Sequence, residues 1–496
     1  MQHDYDYKTE PYAHQREVFH RARDLDDFAF LMGMGTGKTK VGIDNAAWLW
    51  AQGKISALVV IAPNGVHRNW ILREIPAHLP EWTQYRAAIW ASPSVIKAGE
   101  RKELDKIWKE GRGLRVISMN VEAFGQGMKG AGAKFLAKVM NTFNTMVIID
   151  ESTVIKTPGS ARTKTLITLG KRAKYRRIMT GTPITNGPLD AYAQFAFLNR
   201  DILGFDNFYS FKHRYAEWVR RQLNQVDPKT GKKREFEELV SYRNLDELVN
   251  NIQAHSFRIT KNECLDLPEK VYERRLVDLT AEQRKLYNDI RKKALYDLGN
   301  GEVTVQNVLT KLLRLQQVLG GFVPAEEFAP AVPIPGANPR LESLLGAVEE
   351  AGGDGKIIIW ARFRAELEAI TARLAKEYGP KSVVGYHGGV KAGDREVNID
   401  RFQNDDLCQF FVGQQHSGGY GLTLTAATTV IYYSNDFSLE ARLQSEDRAH
   451  RIGQKDNVTY IDMEAANTVD TKIINALRSK KNIADEITKD NPGEWL

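Results

Sequence analysis

Short apolar runs alternate with longer amphipathic segments in two stretches of the chain. In the first stretch the apolar runs predict strands at residues 28–32, 57–62, 115–119, 145–150 and 177–180. In the second stretch they predict strands at residues 356–361, 383–386, 409–412, 430–434 and 458–462. Strands separated by helical patterns are typical of parallel sheets that are covered by helices on both faces. The pattern therefore predicts an α/β protein with two parallel-sheet lobes in tandem.

The pattern changes between about residues 200 and 340. Residues 207–221 and 280–298 are predicted to be helical, residues 227–232 to be the turn of a hairpin, and the proline-rich stretch 325–339 to be a surface loop. We interpret these stretches as insertions. Residues 1–262 then form lobe 1, with a helical and hairpin insertion at 200–250, and residues 263–496 form lobe 2, with a helical insertion and the loop at 280–340.

Composition excludes several classes of protein. The 496 residues contain no apolar run near the ~20 residues that a membrane-spanning helix needs. The first residues are polar and acidic, unlike a signal peptide, so we expect no membrane partner and a cytoplasmic location. The only cysteines, Cys264 and Cys408, are too few for a disulfide framework or a cysteine-based zinc site.

Charge is spread unevenly along the chain. The net charge is +7, and residues 161–177 contain seven Lys or Arg and no acidic residue. Residues 211–235 contain eight basic residues and three acidic ones. Such clusters suit a polyanionic partner, although a solvated basic face explains either cluster equally well.

A glycine-rich segment, Gly33-Met-Gly-Thr-Gly-Lys-Thr39, follows the first predicted strand and precedes a helical pattern. Strand, glycine loop and helix in this order predict a phosphate-binding loop, in which backbone N–H groups and the helix N-terminus hold phosphates. Lys38 would reach the β- and γ-phosphates, and the Thr39 hydroxyl would bind Mg²⁺. A purely structural glycine turn is the alternative.

The strand predicted at residues 145–150 delivers two carboxylates at its C-terminal end, Asp150 and Glu151. Ligand-facing residues of parallel sheets lie at this end. Asp150 would hold Mg²⁺ through its water shell, and Glu151 would polarise the attacking water. An acidic helix cap is the alternative.

Asp150-Glu-Ser-Thr-Val-Ile-Lys156 resembles the DEAH-x-Ile-Lys box of Swi/Snf-type motors, a branch of helicase superfamily two. Further segments resemble that family's motifs in order: Tyr12–Gln15, residues 62–74, Thr180–Asn186, residues 258–287, Ser417–Leu424 and Gln444–Gln454. The chain departs from the family pattern at Gly33, Ser152, Thr153 and Thr423. At 152 and 153 the family has Ala and His.

The resemblance implies two RecA-like lobes, ATP and Mg²⁺ as cofactors, and roles for individual residues. Implied ATP-binding residues are Gln15, Gly35, Thr36, Gly37, Lys38, Thr39 and Gly421. Implied coupling residues, which link hydrolysis to movement, are Thr180, Gly181, Thr182 and Gln444. Implied nucleic-acid contacts are Asn69, Trp70, Lys156 and Arg362.

Arg448 and Arg451 lie three residues apart on a predicted helix, and hence on one face. Guanidinium groups suit the charge that develops on a transferring γ-phosphoryl group, so both residues are candidate catalytic arginine fingers if lobe 2 closes on lobe 1. A salt-bridged surface helix is the alternative. His450, between them, is interpreted as structural.

The family resemblance implies an ATP-dependent translocase on double-stranded DNA that is held through phosphates without sequence readout. We expect a monomeric, minimal motor of bacterial or viral origin that remodels DNA or protein–DNA complexes, with any protein partner unidentified. Two alternatives stay open: a helicase that separates strands of DNA or RNA, and a non-catalytic nucleic-acid clamp.

Overall fold

The computed structural model of the chain describes residues 5–64, 66–184, 187–226, 233–264, 267–299, 305–323, 331–352, 355–415, 422–436, 438–475 and 477. The described residues form two compact units, one from 5–219 and 238–264, and the other from 220–237 and 267–477. Each unit contains one parallel sheet. The predicted fold class, two parallel-sheet α/β lobes, is confirmed.

The first unit is built on a seven-stranded sheet. The strands up to residue 264 are β1 (Asp27–Met32), β2 (Ala57–Ala62), β3 (Tyr85–Ile89), β4 (Leu114–Asn120), β5 (Thr145–Asp150), β6 (Tyr175–Met179), β7 (Ala216–Val226), β8 (Lys233–Tyr242) and β9 (Ser256–Ile259). The sheet order is β3-β4-β2-β5-β6-β1-β9, and every neighbouring pair is parallel. Strands β7 and β8 pair separately in a two-stranded sheet.

Helices connect these strands. They are α1 (Ala13–Ala22), α2 (Lys38–Ala51), α3 (Val66–Asn69), α4 (Ile75–His78), α5 (Ala98–Lys106), α6 (Ala131–Thr142), α7 (Ala161–Gly170), α8 (Ala191–Leu198), α9 (Phe208–Tyr215), α10 (Leu245–Gln253) and α11 (Lys261–Cys264). A π-helix spans Trp70–Glu74, and 3₁₀ helices span Val121–Phe124, Gly127–Lys129, Ser152–Ile155, Pro188–Asp190 and Arg200–Ile202.

Strand β1 shows why this sheet is buried on both faces. Ala29 and Leu31 belong to one hydrophobic core, whereas Phe28, Phe30 and Met32 belong to another. Successive side chains of a strand point to opposite faces, so an uninterrupted apolar run supplies both cores. These cores fix the C-terminal end of β1, from which the glycine-rich segment leaves.

Two arginines of the basic stretch 161–177 are structural. Arg176 forms a bidentate ion pair with Asp27, its register partner on β1, at 2.6 and 2.8 Å. Arg177 is fully buried and donates to Asn45 Oδ1 and to four backbone carbonyls. Burial lowers the pKa of Arg177 to about 10. Arg176 and Arg177 are therefore held within the fold, and the two interpretations of the stretch, a polyanion-binding cluster or a solvated basic face, concern its other basic residues.

The helix predicted at residues 207–221 is wrong in its second half. Helix α9 ends at Tyr215, and β7 begins at Ala216. The chain pairs there with β8, and sheet hydrogen bonding overrides the local helical pattern. The predicted turn at 227–232 lies outside the described residues.

The second unit has a six-stranded parallel sheet with the order β10-β17-β16-β13-β15-β14. The strands after residue 267 are β10 (Lys270–Leu276), β11 (Phe322–Val323), β12 (Val332–Pro333), β13 (Lys356–Trp360), β14 (Val383–Tyr386), β15 (Phe410–Gly413), β16 (Ala427–Tyr432) and β17 (Val458–Glu464). Strands β11 and β12 form a small antiparallel pair. The helices are α12 (Ala281–Gly299), α13 (Val305–Leu319), α14 (Pro339–Glu350), α15 (Arg364–Tyr378), α16 (Ala392–Asn404) and α17 (Leu439–Glu446).

A buried ionic cluster fixes α17 to this sheet. Arg442 donates to Glu446 Oε1 one turn along the helix and to Asp462 of β17. Its guanidinium also lies over the Tyr432 ring, 3.5 Å from the centroid. Because a buried charge is costly unless it is paired, this cluster holds the helix in one orientation. No helix among the described residues is long and apolar enough to span a bilayer.

Candidate nucleotide site

The glycine-rich segment adopts a conformation that glycine favours. Gly35 and Gly37 have φ angles of +75° and +85°, in the left-handed region. Helix α2 then begins at Lys38, so its first turn follows the loop directly. The helix N-terminus carries unpaired N–H groups and partial positive charge, which favours phosphate.

Two side chains of α1 hold this loop. His14 Nε2 and Gln15 Nε2 lie 2.8 and 2.9 Å from the carbonyl oxygen of Thr36. The hydroxyl of Thr36 donates to the Gly33 carbonyl at 2.7 Å, which closes the loop on itself. The family resemblance implies that Gln15 contacts adenine and that Thr36 contacts ATP. In the structure both shape the phosphate loop, and their contact with nucleotide stays a prediction.

Lys38 and the carboxylates at the end of β5 come together. Lys38 Nζ lies 4.0 Å from Glu151 Oε1, and both side chains are largely buried. Burial raises the pKa of Asp150, and the Lys38 ammonium opposes that rise. Thr39 is the second residue of α2 and is half-buried. The pair of acids thus faces the lysine at the C-terminal edge of the sheet.

Glu151 lies at a sharp bend. Its φ of 49° and ψ of 59° are left-handed, which is uncommon for a residue other than glycine. Its backbone N–H donates to Asp150 Oδ1 at 3.0 Å. Backbone strain of this kind concentrates at functional sites, where the surrounding structure holds it.

Trp70 has a different position from the one predicted for it. The side chain is 1 % exposed, and its indole Nε1–H donates to Asp150 Oδ2 at 2.9 Å. A buried ring cannot lie against a nucleic acid, so the prediction of Trp70 as a nucleic-acid contact is wrong. The residue instead orients the carboxylate of Asp150.

The coupling segment, Thr180–Asn186, packs against the phosphate loop through its first residues. A Cβ on Gly181 would lie 3.1 Å from the backbone nitrogen of Met34, so only glycine allows this approach without a shift. Thr180 is fully buried, and its hydroxyl accepts from the Thr182 backbone N–H at 3.1 Å. Thr185 and Asn186, at the end of this segment, lie outside the described residues.

Arg448 and Arg451 belong to the second unit. Helix α17 ends at Glu446, so the predicted helical position of these arginines is wrong. The chain turns after Asp447, and both guanidinium groups nevertheless converge on one atom. Arg448 Nη1 and Arg451 Nη1 donate to the Leu422 carbonyl at 3.3 and 3.0 Å. His450, with Nε2 2.7 Å from the Pro268 carbonyl and 2 % exposed, is structural as predicted.

The structure gives local contacts or burial for most of the remaining predicted site residues. Gln444 is buried and donates to Glu440 within α17. Lys156 Nζ lies 4.0 Å from Asp190 Oδ2, and Arg362 donates to Gln316 at 3.1 Å. Asn69 is half-buried. Gly421 lies outside the described residues. The roles assigned to these residues stay predictions.

The residues of the first unit fit a divalent cation. Asp150 is a desolvated carboxylate whose two oxygens each have further lone pairs, and hard oxygen ligands are what Mg²⁺ prefers. The Thr39 hydroxyl is a second oxygen donor on the neighbouring helix. Among the described residues there is no group of three or more His, Cys, Asp or Glu that could hold a metal ion.

A phosphate loop whose lysine faces a buried pair of acids defines a nucleotide-hydrolysing α/β enzyme. Comparison with protein families specifies it further. The model of the SNF2-related domain matches residues 28–320, which is more than half of the chain. The helicase conserved C-terminal domain matches residues 338–453. The chain belongs to the SNF2-related family of helicase-like ATPases.

Individual relatives are distant. The human TATA-binding protein-associated factor 172 is 26% identical over 387 residues, which cover 68% of this chain and 20% of that protein. The putative ATP-dependent helicase/translocase YwqA of Bacillus subtilis is 24% identical over 443 residues, which cover 88% of this chain and 44% of that protein. The chain thus spans about a fifth of the length of the first curated relatives.

Among solved structures, the chain is similar to the Sulfolobus solfataricus SWI2/SNF2 ATPase core in complex with dsDNA. The two chains are 23% identical with a TM-score of 0.42, and the match covers 98% of this chain and 95% of that one.

Proposed function

We propose that the chain is an ATP-dependent translocase on double-stranded DNA that remodels DNA or protein–DNA complexes. The observation that carries the proposal is the approach of Lys38 to Glu151 at 4.0 Å beside the buried Asp150. This arrangement places the Lys38 ammonium group, which can bind phosphate, next to the Glu151 carboxylate, which can orient water. The same unit holds the coupling segment against the phosphate loop, which provides a path from hydrolysis to movement.

Each residue has a definite part in the proposed reaction. Lys38 and the N–H groups of the loop bind the phosphates, and Glu151 orients the attacking water. Thr39 and Asp150 would hold Mg²⁺, which neutralises phosphate charge when it is bound. Arg448 and Arg451 are proposed to stabilise the charge that develops during transfer.

Exposed cations on the first unit support a polyanionic substrate. Helix α7 and the turn after it present Lys164, Lys171, Arg172 and Lys174 at the surface. Lys and Arg side chains bind phosphates without reading sequence, so binding should weaken steeply with salt. The name of the Bacillus relative, a putative ATP-dependent helicase/translocase, supports movement along the nucleic acid.

The decisive experiment measures ATP hydrolysis without nucleic acid and with duplex DNA, single-stranded DNA or RNA. We expect strong stimulation by duplex DNA alone, and none in the Lys38→Ala variant. Stimulation by single strands or RNA would favour a strand-separating helicase instead. The absence of any hydrolysis in the unmodified chain, together with retained binding of DNA, would favour the non-catalytic clamp.

A second variant tests the role of Glu151 separately. Glu151→Gln keeps the shape of the side chain but removes its charge, so ATP should still bind while kcat falls by about 10²-fold or more. Binding is measured with a fluorescent ATP analogue, and turnover is measured as phosphate release. Retention of turnover would overturn the assignment of Glu151.

A further inference from the structure

Helix α8 contains a polar amide side chain at a position where its otherwise apolar sequence predicts an apolar residue. Its sequence is Ala-Tyr-Ala-Gln-Phe-Ala-Phe-Leu, and every residue of the helix is buried. Gln194 is fully buried among these apolar neighbours. A buried amide is costly unless its hydrogen bonds are made, so Gln194 needs specific partners.

Two of the three hydrogen-bond partners of Gln194 lie in functional segments. Its Nε2 donates to the Pro183 carbonyl at 2.6 Å and to the Asp190 carbonyl at 3.0 Å. Its Oε1 accepts from the Ser152 hydroxyl at 2.6 Å. Carbonyl oxygens can only accept, so the amide nitrogen must face them, and this fixes the amide orientation and makes the Ser152 hydroxyl the donor.

The positions of these partners matter. Ser152 follows Glu151 directly, immediately after the left-handed bend that aims the Glu151 carboxylate. Pro183 belongs to the coupling segment, just after Thr182. The Gln194 side chain therefore joins the end of β5 to the coupling segment through short hydrogen bonds. Such bonds are strong in the low-dielectric interior of a protein.

Ser152 is also a position at which this chain departs from the pattern of its family, which has alanine there. An alanine has no hydroxyl to donate, so the contact with Gln194 depends on the residue that this chain carries.

We propose that Gln194 is a positioning residue that couples the conformation of the Glu151 bend to that of the coupling segment through Ser152 and Pro183. Gln194 is fully buried, so it acts through these hydrogen-bonded neighbours. The inference rests on the proposed function, because its main readout is the stimulation of hydrolysis by duplex DNA. Ser152 acts through Gln194, so the effects of substituting the two residues should not add.

The test is a double-mutant cycle of Ser152→Ala, Gln194→Leu and the double variant. Basal kcat, duplex-stimulated kcat and the KM for ATP are measured for each. We expect each single variant to lower the ratio of stimulated to basal kcat by about fivefold or more, with the KM for ATP changed less than about twofold. The double variant should be no worse than Gln194→Leu, because the two losses share one connection.

A matched control removes a buried hydroxyl bond elsewhere in the unit. Thr165 is 2 % exposed, and its hydroxyl donates to the Ala161 carbonyl at 2.8 Å within α7. Thr165→Ala should leave the ratio unchanged. Ser152→Ala is the milder variant and is decisive on its own if Gln194→Leu does not fold.

Several outcomes would overturn the inference. One is an unchanged ratio in both single variants, and another is additive losses in the double variant. A third is a loss of kcat that follows a lower melting temperature and that the control variant Thr165→Ala shows as well. If duplex DNA does not stimulate the unmodified chain, the proposed function fails separately. The coupling is then judged on basal kcat, which should still fall non-additively at unchanged KM, and an unaffected basal kcat would refute it.

Discussion

The indole Nε1–H of Trp70 donates a hydrogen bond to Asp150 Oδ2 across 80 residues of sequence, at 2.9 Å. Trp70 begins the π-helix Trp70–Glu74, and Asp150 ends β5. The bond orients the carboxylate that is proposed to hold Mg²⁺. Loss of an outer-shell partner of a metal ligand typically lowers metal affinity or activity by about 10–100-fold.

Replacing Trp70 by phenylalanine should weaken the binding of Mg²⁺. The ring remains buried, but Asp150 loses its donor, so the Mg²⁺ concentration for half-maximal hydrolysis should rise about tenfold. Binding of a fluorescent ATP analogue across a Mg²⁺ titration provides a readout independent of turnover.

Trp48→Phe is the matched control for this variant. Trp48 Nε1 donates to another carboxylate of the same unit, Asp24 Oδ1, at 3.1 Å. Its replacement should leave the Mg²⁺ dependence unchanged. Equal Mg²⁺ titrations for Trp70→Phe and the unmodified chain would show that the bond to Asp150 has no role in cation binding.

Gly37→Ala should abolish tight ATP binding. A Cβ at this position would lie 2.0 Å from Gln15 Nε2, and the φ of +85° also disfavours alanine. The Gln15 amide would have to move and would lose its hydrogen bond to the Thr36 carbonyl, and the strained left-handed backbone would displace the N–H groups that face phosphate. We expect the Kd for ATP to rise about tenfold or more, measured by fluorescence titration.

Gly53→Ala is the control that separates the strain of a left-handed backbone from the steric clash of the added Cβ. Gly53 has a φ of +67°, but a Cβ added there would meet no atom within 4 Å. Both variants should lose about 1–2 kcal/mol of unfolding free energy because of the left-handed backbone. Only Gly37→Ala should lose ATP binding, and comparable Kd values for the two variants would contradict the steric argument.

The central strands of both sheets could be predicted because each is an uninterrupted apolar run. The strands that the sequence pattern missed include β3 and β9, at the two edges of the first sheet, and β10, at an edge of the second. Five of the seven residues of β10 are exposed. Because β10 has a neighbouring strand on one side only and faces water, its sequence contains no continuous apolar run.

The phosphate loop and the strand-end acids could also be predicted, because their spacing is local. The contacts of Trp70 and Gln194 could not, because their partners lie 80 and 42 residues away along the chain. A weak signal existed for Gln194, since an amide inside an apolar helix indicates a buried polar partner. The identity of that partner depends on tertiary packing.

Arg448 and Arg451 should be needed for hydrolysis rather than for folding. Arg448→Ala and Arg451→Ala should each lower kcat by about 10³-fold, the usual range for an arginine finger, while ATP still binds. Arg401→Ala is the control, because Arg401 pairs with Asp405 at 3.8 Å on α16 of the same unit. A kcat within a fewfold of the unmodified chain for both variants would refute their catalytic role.

The second unit should become less stable as pH rises, because of Glu366 on α15. Its carboxyl group is fully buried, with Oε2 accepting from the Ser434 hydroxyl at 2.6 Å and from the Phe363 N–H at 3.2 Å. Among the described residues, Oε1 has no hydrogen-bond partner. Burial raises the pKa of Glu366 to about 7, against the opposing effect of these donors and of Arg340.

The direction of this pH effect follows from proton binding. Between the unfolded pKa of about 4.3 and the folded pKa of about 7, the folded chain keeps a proton that the unfolded chain has lost. Stability is therefore full below this window and is lost as pH rises through it, by about 3–4 kcal/mol. Glu366→Gln, which does not titrate, should flatten the slope of unfolding free energy between about pH 5 and about pH 8 in urea unfolding. Glu368→Gln on the same helix, where the carboxylate is 59% exposed, should keep the slope, and parallel curves for both variants would refute a buried titrating Glu366.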